Sequence, residues 1–304
     1  MIVELGDRAG VIPGGVNVGV LCAGPNRVVL IDTGLNETSG KKVLKTVREE
    51  LGAEVVAILT THAHADHFGA NATVVKRTGA RVYAPAIDEA VLRYPLLQPS
   101  LLYGGADPID TLRGRFLLAD PSTVDVVVQP GPLTIEEVQI EVIPLFGHSP
   151  GQVGYLVDGV FFCADVVLPV SVLEKYRIPY LYSVTDHISA LEHARTVDYH
   201  TAVPGHGDVE SSLAELLSLN RALIDRVAER IVDLARTPST AETVLTGLLR
   251  SFRAVVEDAP SFYLLQPTVF AFLSHLQRQG AIEHTVVDAK SLWRATGSVH
   301  AGGD

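Results

Sequence analysis

Four side chains that can bind metal ions lie within six residues, in the segment His62-Ala63-His64-Ala65-Asp66-His67. They follow an apolar run that predicts a buried strand, so they lie at its carboxyl end, where an α/β layer presents its loops. Histidines two apart on an extended segment point to the same side, so His62 and His64 can bind one cation. Asp66 and His67 follow as the chain turns into the next helix and can hold a second cation nearby. The pattern therefore predicts a metal site.

Three single residues further along the chain occur in similar contexts. His148 lies in a glycine-rich turn after a predicted strand at Val138–Ile143, Asp165 follows an apolar run, and His206 follows a short strand at Thr201–Val203. A polar residue in a turn is ordinary when it stands alone. Because each of these three lies at a junction between a strand and a loop, one sheet scaffold can hold them beside the first four.

The elements that must position these residues fill about the first 210 residues. Short β-branched runs alternate there with helical patterns, as is typical of a layered α/β domain. Most of the runs are apolar throughout, which predicts sheets covered on both faces. The predicted helices are Thr38–Leu51, capped by Asn36 or Thr38, and a segment from about His67 to Thr78. The predicted strands are Val16–Leu21, Val28–Ile31, Val55–Leu59, Arg81–Ala84, Val124–Val128, Val138–Ile143, Val153–Val157, Val160–Cys163 and Thr201–Val203.

The remaining segments have different patterns. Prolines and glycines interrupt short apolar pieces over residues 85–121, which predicts a helical insertion or lid. A long helical pattern over 211–237 predicts a helix that links two domains. Residues 238–304 read as a helix from about Thr240 to Phe252, a second from about Gln266 to Gln279, and a short hairpin, which is the outline of a winged-helix-like module. We expect removal of the residues after Pro238 to leave the metal site intact.

Charge narrows the range of partners. The 304 residues include 24 Lys+Arg and 35 Asp+Glu, for a formal net charge of −11. Such a chain has no bulk attraction for nucleic acid or anionic lipid. From Arg221 onward nine basic residues balance nine acidic ones, so the predicted module lacks the basic excess of a DNA-binding winged helix. We expect a small-molecule substrate, keep nucleic acid as an alternative, and expect the module to form a homodimer or to cover the substrate.

The predicted location is the cytoplasm. The amino terminus has acidic residues where a signal peptide has basic ones. The most apolar window, residues 154–173, contains two aspartates and a proline, which oppose insertion into a membrane. Two cysteines, Cys22 and Cys163, can form one disulfide at most, and Cys163 is interpreted as a core residue.

The metal-binding residues resemble those of the metallo-β-lactamase superfamily. The segment Leu30-Ile31-Asp32-Thr33-Gly34 is also similar to the early strand-turn motif of that family, in which the aspartate supports the metal loop. The resemblance covers about residues 1–210 and implies the α/β class, as a four-layer αβ/βα sandwich. The residues that match the complete ligand set of its dinuclear hydrolases, in the variant shared with glyoxalase II-type enzymes, are His62, His64, Asp66, His67, His148, Asp165 and His206.

The resemblance also implies a role for each ligand. The first metal is held by His62, His64 and His148. The second metal is held by Asp66, His67 and His206, and Asp165 bridges the two. Two Zn²⁺ ions are the expected cofactors, with iron or manganese as alternatives. Asp66 is the implied catalytic residue, because it orients the attacking hydroxide while it holds the second metal.

Three reactions fit this site. The first hypothesis is a dinuclear hydrolase of a small thioester, ester or lactone. The second is a metal-dependent endoribonuclease or phosphodiesterase, because small lactamase-like endoribonucleases have a similar metal set and a winged-helix-like end. The third is a mononuclear iron persulfide dioxygenase. Tyr176, Tyr180 and Tyr182 follow Asp165 in a proline-containing segment and are candidates for substrate binding, although tyrosines at such positions also cover cores.

Overall fold

Two β-sheets lie face to face, and helices cover the outer face of each, in the computed structural model of this chain, which describes residues 1–297. The first sheet has seven strands in chain order. Neighbours among the first four strands are antiparallel, and neighbours from the fourth to the seventh are parallel. These strands are β1 (Val3–Glu4), β2 (Ala9–Ile12), β3 (Val18–Cys22), β4 (Arg27–Ile31), β5 (Glu54–Leu59), β6 (Arg81–Pro85) and β7 (Val126–Val128).

The second sheet has five strands. Their order across the sheet is the reverse of the chain order, and all neighbours are antiparallel except the last pair along the chain, which is parallel. These strands are β8 (Gly131–Ile135), β9 (Val138–Pro144), β10 (Val153–Val157), β11 (Val160–Ala164) and β12 (Thr201–Pro204). The carboxyl ends of β5, β9, β11 and β12 lead into the loops that contain the predicted ligands.

Ten α-helices and one 3₁₀-helix, at Asp110–Arg113, occur within residues 1–297. The first helix begins as predicted, because the Asn36 side chain accepts the N–H of Ser39, and Ser39 Oγ accepts the N–H of Asn36. The α-helices are α1 (Glu37–Leu51), α2 (Ala65–Phe68), α3 (Asn71–Thr78), α4 (Asp88–Arg93), α5 (Leu97–Leu102), α6 (Val170–Tyr176), α7 (Val184–Thr196), α8 (Ala214–Leu234), α9 (Ala241–Phe252) and α10 (Ala259–Arg278).

The strands are apolar on both faces because both faces are buried. In β4, Val29 and Ile31 pack between the two sheets, whereas Val28 and Leu30 pack against the helices of the outer layer. This division follows from the alternation of side chains along a strand. The prediction of doubly covered sheets is therefore confirmed for this strand.

Two predicted boundaries were wrong. The helix predicted from about His67 to Thr78 is two helices, because the chain turns at Gly69 between α2 and α3. The helix predicted to begin at Gln266 begins seven residues earlier, at Ala259. Asp258 caps its first turn by accepting the N–H of Ser261, and a proline occupies the first turn, where its missing N–H costs nothing.

After α8, the chain forms α9, α10 and an antiparallel hairpin of β13 (Ile282–Val287) and β14 (Lys290–Ala295). Ser239, between α8 and α9, pairs with Trp293 of the hairpin. Residues 298–304, the end of the predicted module, lie outside the described residues. The insertion predicted at 85–121 contains α4, α5 and the 3₁₀-helix.

The helices after Pro238 share one hydrophobic core with the helices that cover the second sheet. Phe272 of α10 belongs to the same buried cluster as Leu191 of α7 and Ile231 of α8. The hydroxyl of Thr268 in α10 accepts the N–H of Leu181 from the segment before α7. Removal of the residues after Pro238 would expose this shared core. That the metal site survives such a truncation stays a prediction.

Candidate metal centre

The two sheets bring all seven predicted ligands to one edge of the sandwich. Residues 60–64 extend beyond β5 of the first sheet, and α2 begins directly after His64. His148 lies in the loop between β9 and β10, and the residue after β11 is Asp165. His206 follows β12. The site therefore draws its side chains from the strand ends of both sheets.

The ligand atoms form three overlapping groups, and within each group they lie within 4.8 Å of one another. His62 Nε2 is 3.0 Å from His64 Nδ1, and His148 Nε2 is 2.9 Å from that same atom. His67 Nε2 is 3.5 Å from one oxygen of Asp165. The groups are His62, His64 and His148; His62, His67 and Asp165; and Asp66, His67 and His206.

Asp165 lies between the groups. Its Oδ2 is 3.4 Å from Nε2 of His148 and 3.4 Å from Nε2 of His206. Its Oδ1 faces His67. One carboxylate therefore reaches ligands of every group, which is the position that a bridging ligand requires.

The ligand atoms are better suited to binding metal ions than to hydrogen bonding with one another. Nε2 of His67 and Oδ1 of Asp165 are buried and have no hydrogen-bond partner within residues 1–297. A buried polar atom without a partner is costly. Imidazole nitrogens and carboxylate oxygens are also the donors that Zn²⁺ and similar ions prefer. The residues present therefore fit bound metal ions.

The histidines of the first group are neutral. Burial, together with the neighbouring histidines, holds the pKa of His62 and of His148 well below the ordinary value. Burial lowers the pKa of His64 to about 4. Neutral imidazoles have a free lone pair at pH 7, so this group can bind a cation without releasing protons.

His67, His206 and Asp165 are charged in the metal-free protein. Burial lowers the pKa of His67, but the carboxylates of Asp165 and Asp32 outweigh it and raise the pKa well above the ordinary value. Burial also lowers the pKa of His206, but Asp165 outweighs it and raises the pKa to about 9. Burial raises the pKa of Asp165, but His206 and His67 hold it well below its usual range. A metal ion that binds here must therefore displace the protons of His67 and His206.

Asp32 lies behind the ligands rather than among them. Its Oδ2 accepts hydrogen bonds from Nδ1 of His67 and from the hydroxyl of Thr61, and its Oδ1 accepts the N–H of Thr61, each at 2.8 Å. The Thr61 hydroxyl is also 3.0 Å from Nδ1 of His62. These bonds fix the ring orientation of two predicted ligands.

The absence of a side chain at Gly205 lets Asp165 and His67 pack closely against its backbone. A Cβ atom on Gly205 would overlap Oδ1 of Asp165 and lie 2.9 Å from Cε1 of His67. The backbone of Ala164, directly before Asp165, has a positive φ of 49°. Backbone conformations of this kind cost free energy and cluster at functional sites.

Of the three predicted substrate-binding tyrosines, Tyr180 lies against the site. Its ring centroid is 5.3 Å from that of His64 and 5.8 Å from that of His148. Tyr176 and Tyr182 are 55% and 56% exposed, and Tyr176 lies against Lys175. Their role in substrate binding stays a prediction.

Cys163 lies in the core, as interpreted from the sequence. Cys163 is fully buried and its thiol donates to the carbonyl of Val203.

Asp88 was not among the residues predicted from the sequence, although it is 1% exposed and its carboxylate accepts backbone N–H groups of two ligand loops. The available signal was an acidic residue just after the predicted strand Arg81–Ala84, at the same sheet edge as the ligands.

Comparison with known proteins finds a matching family and a similar bacterial protein. The model of the metallo-β-lactamase superfamily matches residues 11–206. A Bacillus subtilis (strain 168) protein described as "Probable metallo-hydrolase YqgX" is 30% identical over 182 residues, which are 58% of this chain and 79% of that protein.

Solved structures share the fold over nearly the whole chain. A metallo-β-lactamase family protein from Thermus thermophilus is 20% identical with a TM-score of 0.72, covering 94% of this chain and 97% of the other. A β-lactamase domain protein from Burkholderia ambifaria is 19% identical with a TM-score of 0.76, covering 97% and 94%. At these identities the similarity concerns the fold alone. Among residues 1–297, no helix is both long and apolar enough to cross a bilayer.

Proposed function

This chain belongs to the metallo-β-lactamase superfamily and is a metal-dependent hydrolase, and we propose that it binds two divalent ions and hydrolyses a small thioester, ester or lactone. The observation that supports this best is the overlap of the three ligand groups, with Asp165 in contact with all of them. Zinc is the ion that such imidazole and carboxylate donors usually hold, with iron or manganese as alternatives.

In this proposal the neutral group of His62, His64 and His148 holds the first ion. Asp66, His67 and His206 would hold the second, and Asp165, which lies near residues of both groups, would be their shared ligand. When bound, such ions supply Lewis acidity and lower the pKa of water at the site toward neutrality. Asp32 keeps the ring of His67 in the orientation that directs Nε2 toward the site.

Two residues of this chain act on the reactants. The carboxylate of Asp66 is partly exposed, so it can accept a hydrogen bond from the attacking water and hold its proton. Burial raises the pKa of Tyr180 to about 12, so its hydroxyl stays protonated at pH 7 and can donate a hydrogen bond to a substrate oxygen. The ring of Tyr180 lies against the rings of His64 and His148, so its hydroxyl is near the first group of ligands.

A second candidate function is hydrolysis of RNA phosphodiesters. The order of α8, the Ser239–Trp293 pair, α9, α10 and the hairpin is similar to a winged-helix module. A groove of about 410 Å³ between α6, α8 and the end of α9 is lined by Arg177, Arg226 and Arg253, together with Glu174 and several apolar side chains. Guanidinium groups of this kind bind phosphates.

The first test is elemental analysis of the purified protein, followed by assays on acyl thioesters, esters, lactones and single-stranded RNA at low salt. We expect two zinc ions per chain and hydrolysis of at least one carbonyl substrate, lost on chelation and restored by zinc. Uniform inactivity of the protein with two bound ions would contradict the carbonyl-hydrolase proposal. Cleavage of RNA, reduced by Arg226→Gln, would favour the second candidate. A single iron with oxygen consumption would instead support the persulfide dioxygenase.

A further inference from the structure

Asp88 connects two loops that contain predicted ligands. It is the first residue of α4 and is almost completely buried. One carboxylate oxygen accepts the N–H of Ala63 at 2.8 Å, and the other accepts the N–H of Gly151 at 2.5 Å. Ala63 lies between His62 and His64, and Gly151 lies three residues after His148.

The loops that Asp88 connects belong to different sheets. The loop of Ala63 extends from β5 in the first sheet, and the loop of Gly151 joins β9 and β10 in the second. Other bonds join the two strand ends themselves, such as Val153 N–H to the carbonyl of Thr61 at 3.0 Å. The hydrogen bonds of Asp88 lie beyond these strand ends, in the ligand loops, where strand pairing does not join the two segments.

The contact is tightly fitted. A Cβ atom on Gly151 would overlap the carbonyl oxygen of Ala86 and lie 2.7 Å from the carboxylate of Asp88. Ile87, between Ala86 and Asp88, has a positive φ of 72°, which is a strained conformation for a β-branched residue. Such strain persists only where the surrounding contacts hold the backbone in place. The turn at 86–88 is therefore held against the loop of Gly151.

The burial of this carboxylate has no other explanation in the site. Asp88 is not in any of the three ligand groups found within residues 1–297. Burial raises its pKa to about 6, opposed by the N–H bonds it accepts, so it is still ionised at pH 7. A buried charge is costly unless hydrogen bonds compensate it, and its main compensation comes from the two ligand loops.

We propose that Asp88 is the positioning residue of the three-histidine group and sets the affinity of that group for its metal ion. The inference rests on the proposed function in that it assumes two ions. Asp32 contacts the ring of His67 directly and reaches the ring of His62 through the hydroxyl of Thr61. Asp88 instead accepts the backbone N–H groups of Ala63 and Gly151, in the loops that contain His62, His64 and His148.

The test is a zinc titration of metal-free wild type and of Asp88→Asn against a chromophoric chelator. The asparagine keeps the size of the side chain but replaces one acceptor oxygen with a donor. We expect one of the two zinc affinities to fall by about 10- to 100-fold, as when an outer partner of a ligand is lost, while the other stays within about threefold. Two unchanged affinities, or an equal fall in both, would overturn the proposal.

Asp125→Asn is the matched control. Asp125 also accepts a backbone N–H, from Val82 at 2.8 Å, but at the opposite end of β6. We expect this variant to retain both affinities. If it loses affinity as Asp88→Asn does, the effect reflects general loosening of the sheet and the positioning role is refuted.

Double variants identify the affected ion. In a His148→Ala background the three-histidine group is already broken, so Asp88→Asn should not change the remaining affinity. In an Asp66→Ala background the remaining affinity is that of the three-histidine group, and Asp88→Asn should lower it. The reverse pattern would overturn the assignment. If wild type binds fewer than two ions, the proposed function fails on that result alone.

A second measurement needs no variant. In the wild-type protein the amide protons of Ala63 and Gly151 should exchange slowly with solvent, although both residues lie in loops, because each is bonded to Asp88. Exchange of either amide at the rate of an unprotected loop residue would contradict the proposal, even if Asp88→Asn fails to fold.

Discussion

One carboxylate oxygen of Asp165 lies 3.4 Å from Nε2 of His148, although Asp165 follows a strand and His148 lies in a loop between two others. The same oxygen is equally close to Nε2 of His206. Asp165 therefore links the neutral and the charged ends of the site, and its removal should affect both.

Asp165→Ala is expected to lower the occupancy of both metal positions and to nearly abolish hydrolysis. The loss should exceed the roughly 10- to 100-fold caused by removing an outer partner of a ligand. Elemental analysis and activity measure it. Cys163→Ala, two residues earlier and buried in β11, is the control and should keep both ions. Normal metal content in Asp165→Ala would refute the bridging role.

The two metal positions should differ in their dependence on pH. The three-histidine group is neutral, whereas His206 stays protonated up to about pH 9. Between about pH 6.5 and 9, affinity at the first position should change little and affinity at the second should rise, because protons must leave His206 and His67. Calorimetry in buffers of different ionisation enthalpy counts the released protons. Equal proton release by both ions would contradict this expectation.

The raised pKa of His206 also predicts how the stability of the metal-free protein depends on pH. The pKa of His206 is raised in the folded state, so its proton stabilises the fold. This contribution is fully present below about pH 6.5 and is lost as the pH rises through about 9. Thermal unfolding of the metal-free protein should therefore occur at lower temperature at the alkaline end. A higher unfolding temperature there would contradict the assignment.

Gly205→Ala is expected to reduce metal binding, because the added Cβ would overlap the carboxylate of Asp165. The Cβ would lie closer to Oδ1 of Asp165 than real Cβ contacts come, so the carboxylate or the backbone of Gly205 must shift. Gly114→Ala is the control, since a Cβ there has only one neighbour, at 3.9 Å, and the glycine has a negative φ. Zinc titration compares the two. Equal affinities in both variants would show that the site tolerates the change.

The helices after Pro238 should be needed for a stable protein. Phe272 of α10 is fully buried in the shared core, so Phe272→Ala should cost about 3–5 kcal/mol of unfolding free energy. Phe270 on the same helix is 46% exposed, so Phe270→Ala should cost much less. Denaturant unfolding measures both. Equal costs would contradict the burial of Phe272 in the shared core.

The clustering of the seven candidate ligands could be predicted from the sequence, because they follow apolar runs that indicate strands. His62 and His64 converge as their spacing indicates, and Asn36 caps α1 as expected. The start of α10 could not be predicted as well, because Pro267 inside the helix resembles a boundary. Asp88 could not be recognised, because its partners are backbone amides of residues that are distant in the sequence.

The ligands lie on the ends of strands from both sheets, separated by up to 144 positions between His62 and His206. A site of such high contact order cannot exist before the sheets have docked, because closing loops of this length costs entropy that local pairing does not recover. A metal ion held by residues of both sheets would therefore bind after the sheets have docked rather than nucleate folding. By mass action it would stabilise the folded sandwich against unfolding.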